Sequence, residues 1–249
     1  MLDNTYVMYA SDNGYHLGQL SLPYDKRQLY EFDIKVPLMV RGPDIQAKQV
    51  REEIVLNIDL APTFIDLARI EVPSVMDGQS MKNILLSNKT KSGWRSDFMI
   101  EHFGEVQAVI NGCPSLNNQR VSNCYPDCVC EDAYNNTYTC VRTISGSENL
   151  MYCEFADSED YVEVYNLSKD PHQLSNIAHS IDPQILMAQN KRLVELSICQ
   201  GPSCRSAEPY PPRKHKWYDE IPPKHTEQKS IQNDATLYWR PIKQPNNIL

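Results

Sequence analysis

Polar and apolar positions divide the chain into short extended runs joined by long polar connections, and helical periodicity is confined to two segments. Thr5 to Ala10 is apolar, β-branched and aromatic, and it ends in Ser11-Asp12-Asn13-Gly14. That is the pattern of a buried strand delivering polar groups at its carboxyl end. Val36 to Val40 is a second such run, closed by Arg41-Gly42-Pro43, and the stretch between the two is too polar to be core. Open α/β sheets bind ligands beyond the carboxyl ends of their strands, and a long polar loop between buried strands is usually functional.

Further along, Ile54 to Leu60 leads into a helix for which Asp59 is the N-cap and Pro62 lies in the first turn. Phe64, Ile65 and Ala68 share its apolar face, so neither Asp59 nor Asp66 is assigned a catalytic role. Phe98 to Glu101 reads as a strand ending at His102. Thr139 to Ile144 and Tyr161 to Tyr165 alternate as strands of a small antiparallel sheet. Asp182-Pro183 starts a helix over Ile185 to Ser197, in which Ile185, Leu186, Met187, Leu193, Val194 and Leu196 form the apolar stripe and Met187 is placed in the core. The tail beyond Cys204 holds seven of the 17 prolines and the basic cluster Arg213-Lys214-His215-Lys216, without periodicity. The division that results is 1–112, 113–204 and 205–249, the last an extended segment.

Composition narrows the function classes. The 249 residues carry a formal net charge of −8, with 32 acidic against 24 basic residues, which argues against nucleic acid as a partner. No apolar stretch reaches the roughly 20 residues of a membrane span. Met1 to Asn4 does not read as the start of a signal peptide. Yet there are eight cysteines and three glycosylation sequons, at Asn88, Asn135 and Asn166, which suit an oxidising, secretory route. Six of the cysteines fall between Cys113 and Cys153. They contain no CxxC pair, so disulfides are favoured over zinc, with connectivity open.

Asp12 and Asn13 offer a carboxylate and an amide oxygen, ligands that suit Ca²⁺ or Mg²⁺ better than a soft metal. A plain Asp-Asn-Gly turn is the alternative. Lys26 supplies a compact positive charge in the same loop, and His16 could touch substrate, help to protonate a leaving oxygen, or serve as a structural hydrogen-bonding histidine. His102 and Arg41 are further candidates for substrate contact.

The segment SDNGYHLG followed by DKRQLYEFDIKVPLMVRGP resembles the sulfatase family, whose members read DNG or DHG and then K-x-x-x-Y-E before a Val-Pro strand; Lys26, Tyr30 and Glu31 fit that spacing. The likeness continues through CVCEDAYNNTY and EVYNLSKDP to about Cys204. The resemblance implies an α/β, alkaline-phosphatase-like sulfatase fold, of which this chain matches the C-terminal part, with a smaller disulfide-linked antiparallel C-terminal subdomain. It also implies hydrolysis of sulfate esters on sulfated glycosaminoglycan, with Asp12 and Asn13 as ligands of one Ca²⁺ and Lys26 on the sulfate. The family's formylglycine, made within C/S-x-P-x-R, has no counterpart in this sequence, and further calcium ligands of the family lie upstream of the DNG segment.

The chain by itself is therefore expected to be inactive and poorly soluble, with unpaired strand edges, and to pair with a separate N-terminal sulfatase fragment. The parent is expected in the lysosome or outside the cell. A non-catalytic glycan-binding product, and a related phosphatase or phosphodiesterase parent, are the alternatives from other classes.

Overall fold

The computed structural model describes residues 2–22, 24–87, 93–104 and 136–205, together with the backbone of 120–123 and 129–133. The sequons at Asn88 and Asn135, the side chains of Cys113, Cys124, Cys128 and Cys130, and the tail from 206 onward lie outside the described residues. Among the described residues no helix is long and apolar enough to cross a membrane.

Strand β1 (Val7–Ala10) pairs antiparallel with β2 (Leu38–Arg41), and the two form a sheet of their own. This differs from the reading of both runs as buried strands: Val7, Tyr9 and Met39 are exposed. Met8, Leu38 and Val40 are half-buried, so the described residues cover only one part of the apolar set that the pattern marked as buried. Between these strands lies the short helix α1 (Glu31–Ile34).

Helix α2 (Leu60–Leu67) begins where the sequence placed it, with Pro62 and Thr63 as its buried residues. Phe64, expected on the packed face, is exposed. Asp59 is fully buried, and its carboxylate does not cap α2. It accepts from the Leu56 and Gln79 amides and receives the Arg95 guanidinium on both oxygens. The reason is electrostatic: a carboxylate with no water must be saturated with donors, and an arginine fork does this better than one helix terminus. Helix α3 (Lys82–Leu86) follows and buries Ile84.

The main core lies in a second sheet of four antiparallel strands in the order β3-β6-β7-β8, made of β3 (Asp97–His102), β6 (Tyr138–Ile144), β7 (Asn149–Phe155) and β8 (Val162–Asn166). A separate hairpin pairs β4 (Arg120–Asn123) with β5 (Val129–Ala133). Because β3 belongs to the four-stranded sheet, that sheet starts at Asp97, upstream of the boundary expected near residue 113.

Strands β6 and β7 are buried on both faces, which requires a layer on each side. On one face Tyr138, Cys140, Met151, Cys153, Tyr165 and Leu167 pack with Leu29. On the other, Val141, Tyr152 and Val164 pack with Leu193 and Leu196 of helix α4 (Pro183–Ser197). Asp182 caps α4, accepting from the Gln184 amide at 2.8 Å, with Pro183 in its first turn. The buried face of α4 runs through Leu186, Gln189, Leu193 and Leu196, a helical spacing from which Met187 is excluded. Met187 is exposed, not part of the core.

Two disulfides lie among the described residues. Cys140–Cys153 joins directly opposed positions of β6 and β7, and Cys199–Cys204 closes a short loop after α4.

Candidate functional site

The turn after β1 is built from local hydrogen bonds. The Ser11 hydroxyl donates to the Asn13 carbonyl at 2.7 Å, and the Asn13 amide nitrogen donates to the Gly14 carbonyl at 2.6 Å. Asn57 donates from one amide nitrogen to the carbonyls of Ser11 and Asp12, each at 3.1 Å, and so holds the turn from outside. Gly14 is required by close approach: a Cβ there would lie 1.9 Å from the Phe32 carbonyl oxygen, and the Gly14 amide donates to Asp33 O at 2.7 Å.

These bonds use the nitrogen of the Asn13 amide and the backbone of Asp12. The Asn13 amide oxygen and the Asp12 carboxylate receive no donor among the described residues, and Asp12 is exposed. Two adjacent hard oxygens of this kind fit a hard cation as a partial shell, since Ca²⁺ takes six to eight. No group of three or more histidine, cysteine, aspartate or glutamate side chains that could hold a metal occurs among the described residues.

Lys26 lies on the excursion between Gly14 and α1. It is exposed, and its ammonium has no partner among the described residues. Its backbone is held closely: the Lys26 amide donates to Asp25 Oδ1 at 2.8 Å, and Asp25 forms a two-way bridge with the backbone of His16. A free charge on a fixed backbone suits the binding of an external anion.

His16 is almost wholly buried, at 1% exposure, and its Nδ1 lies 2.9 Å from each carboxylate oxygen of Asp33. Its Nε2 is buried and has no hydrogen-bond partner among the described residues. The ring is enclosed and its Nδ1 is engaged by Asp33, an arrangement that suits a structural histidine. The structural alternative fits the geometry.

The KRQLYEF segment rests on the first face of the four-stranded sheet. Leu29 is fully buried there. The Arg27 carbonyl accepts from the Asn136 side-chain amide and the Tyr138 hydroxyl, both at 3.2 Å. The Glu31 amide donates to Gln173 Oε1 at 2.8 Å, and the Glu31 carboxylate receives Arg142 Nε at 2.9 Å. Tyr30 stands against Tyr165 and Glu163 of β8. The Tyr165 hydroxyl donates to Glu163 Oε2 at 2.9 Å. Burial holds the Glu163 carboxyl above its usual range, against the lowering effect of these two tyrosines. Burial, with the Glu163 charge beside it, pushes the Tyr30 phenol up to about 12.

His102, at the end of β3, stacks on Tyr138 and shares a 2.8 Å hydrogen bond from Nδ1 to the Asn136 carbonyl. Since Asn136 also reaches Arg27, one residue links His102 to the neighbour of Lys26. Arg41 is exposed at the end of β2, opposite Val7. No described contact joins Arg41 to Lys26 or Asp12. Asn166 is half-buried, with its side-chain oxygen accepting from the Ser168 amide.

Sequence reasoning missed Asn57, Asp33, Asn136 and Arg142 as supports of this site. Asp33 carries the one available signal, an acidic residue inside the EFD segment next to the lysine motif. The others act across 45 to 111 residues of chain, and no local pattern reports that.

The family described as N-sulphoglucosamine sulphohydrolase, C-terminal, matches residues 21–120. An N-acetylglucosamine-6-sulfatase of Bos taurus is 59% identical over 209 residues, which are 82% of this chain and 37% of the relative. That of Homo sapiens is 57% identical over 209 residues, with the same coverage of 82% and 37%. The chain thus spans little more than a third of the length of these curated relatives. A solved structure of a protein in complex with its substrate D-glucosamine-2-N,6-O-disulfate superposes with a TM-score of 0.58 at 29% identity, covering 78% of this chain and 33% of that one.

Proposed function

The chain belongs to the sulfatase family, as the C-terminal part of its alkaline-phosphatase-like fold, and on that premise we propose that it serves a sulfuric ester hydrolase that removes the 6-sulfate from N-acetylglucosamine residues of heparan or keratan sulfate. The observation that carries this reading is the identity of 57–59% to N-acetylglucosamine-6-sulfatases over 82% of the chain.

In this reading Lys26 holds sulfate oxygens, on which negative charge builds as the ester bond breaks. Asp12 and Asn13 contribute part of the shell of one Ca²⁺, whose chemistry when bound is to neutralise the same oxygens. The supports already described keep these groups in place: Asn57 fixes the Asp12 turn, and the four-stranded sheet fixes the segment after Lys26. His102, beside Asn136, and Arg41 are assigned to the sugar side of the substrate.

The chain has no C/S-x-P-x-R, so the formylglycine nucleophile is assigned to a second sulfatase segment, acting in cis or in trans. The exposed face of β1 and β2 supports such a partner, because Val7, Tyr9 and Met39 are apolar strand residues without a covering layer. The cysteines and sequons support a lysosomal or secreted setting, with glycans on Asn88, Asn135 and Asn166.

The test is sulfate release from N-acetylglucosamine-6-sulfate by the chain alone and by the chain joined to a sulfatase segment carrying C-x-P-x-R. Release by the joined protein only, lost in Lys26→Ala, is the expected result. Phosphate release in preference to sulfate would replace this reading with a phosphatase. Binding of heparan fragments without release by either form would replace it with a glycan-binding role.

A further inference from the structure

Asp33 is 3% exposed, and every donor it receives comes from the excursion that carries Lys26 or from that excursion's base. Its Oδ1 and Oδ2 both lie 2.9 Å from His16 Nδ1, and Oδ2 also accepts from the Gln28 amide at 2.9 Å. Its carbonyl accepts from Gly14 N at 2.7 Å, and its own amide donates to Tyr30 O at 2.8 Å. One residue therefore ties both sides of the loop around Lys26. His16, on the outgoing side, passes the restraint on by bridging the backbone of Asp25, the residue before Lys26. Gln28, on the returning side, lies two residues after it.

The physical need for such a device is plain from the sequence. Among the described residues between Gly14 and Tyr30 there is no strand and no α-helix, so few backbone bonds offset the entropy of ordering this stretch. A buried carboxylate supplies the missing restraint, because leaving any of its bonds unmade costs far more than in water. The acceptor-only chemistry of the carboxylate also fixes the ring: Nδ1 carries the proton, and Nε2 is left without a partner among the described residues.

We propose that Asp33 is a positioning residue for Lys26, acting through the Nδ1–H of His16 and the amide of Gln28. The part assigned to Lys26 rests on the sulfatase reading above; the restraint on its backbone does not.

The experiment has two arms. In the 249-residue chain, amide hydrogen exchange and ¹⁵N spectra of the histidine rings are recorded for the native protein and for Asp33→Asn. The expected result is a native ring protonated at Nδ1. In the variant that tautomer is lost, and exchange at the His16 and Gln28 amides is faster by about tenfold to a hundredfold, the equivalent of one charge-assisted hydrogen bond. Exchange in β6 and β7 stays unchanged. Uniformly faster exchange, or unchanged exchange at Gln28, overturns the proposal. If Asp33→Asn fails to fold, His16→Asn is measured by the same criteria at the Asp25 bridge and at Gln28.

The second arm uses the joined, active protein in a double-mutant cycle. Asp33→Asn lowers kcat/KM by about tenfold or more, and the loss disappears in a Lys26→Ala background. Additive losses overturn the idea that Asp33 acts through Lys26. A joined protein without sulfate release refutes the sulfatase reading instead, and the first arm then decides the restraint.

Discussion

Arg142 on β6 and Glu31 beside the Lys26 loop lie 111 residues apart in sequence and meet at 2.9 Å, with the arginine side chain buried. The same guanidinium donates to the carbonyls of Thr143 and Leu150. The C-terminal sheet is thus a platform for the candidate site.

Arg142→Ala should therefore cost about 3 kcal/mol of stability, the range for breaking a buried pair. Chemical denaturation of the variant measures this, and a loss below about 1 kcal/mol would show that the pair is idle. Arg142→Lys should rescue little, since an ammonium cannot reproduce the fork.

The Cys140–Cys153 bond closes a loop of 13 residues on the face that supports Leu29. Replacing both by alanine should cost about 3 kcal/mol, and denaturation with and without reductant should differ by a similar amount in the native chain. Equal curves would mean that the bond does not contribute.

Glu163 gives a pH dependence whose sign is fixed by burial. Its carboxyl is held above the ordinary 4.5 in the folded chain, so the folded state binds this proton more tightly than the unfolded state does. The contribution is fully present below pH 4.5 and is lost as pH rises through the folded value. Urea titrations at several pH values should show stability falling on the way to neutrality, and Glu163→Gln should flatten that component. A Glu163→Gln curve parallel to the native one would refute the assignment.

Asn57→Ala removes the hydrogen bonds to Ser11 and Asp12 while leaving both proposed ligands intact. In the joined active protein it should raise the Ca²⁺ concentration needed for half-maximal rate by about tenfold to a hundredfold, as loss of an outer support does elsewhere. An unchanged Ca²⁺ requirement would remove Asn57 from the site.

Lys26→Ala should lower kcat of the joined protein by about a hundredfold to a thousandfold. The exposed side chain predicts a melting temperature within error of the native one. A large drop in stability would instead mark Lys26 as structural.

Local chemistry was legible where it is local. The DNG turn, the Asp182-Pro183 helix start and the strands after Thr139 could be read from short-range patterns, because caps, turns and strand preference depend on neighbouring residues. The joint between the site and the sheet could not be read. Tyr30, Glu31 and Leu29 look like an ordinary amphipathic turn until β6 and β8 supply Arg142, Glu163 and Tyr165.

One kind of reading failed for a physical reason. Val7, Tyr9 and Met39 read as core, and so did Phe64 and Met187, because apolarity marks a preference for burial but does not name what will do the burying. His16 carried two readings, a proton donor and a structural histidine, which local pattern could not rank. The tertiary structure encloses the ring and gives its Nδ1 to Asp33. The sequence by itself determined which side chains carry chemistry that suits a cation, an anion or a cystine partner. Only the fold decided which of them stand free and which are spent holding others, because exposure and hydrogen-bond partners are set by segments 17 to 111 residues apart.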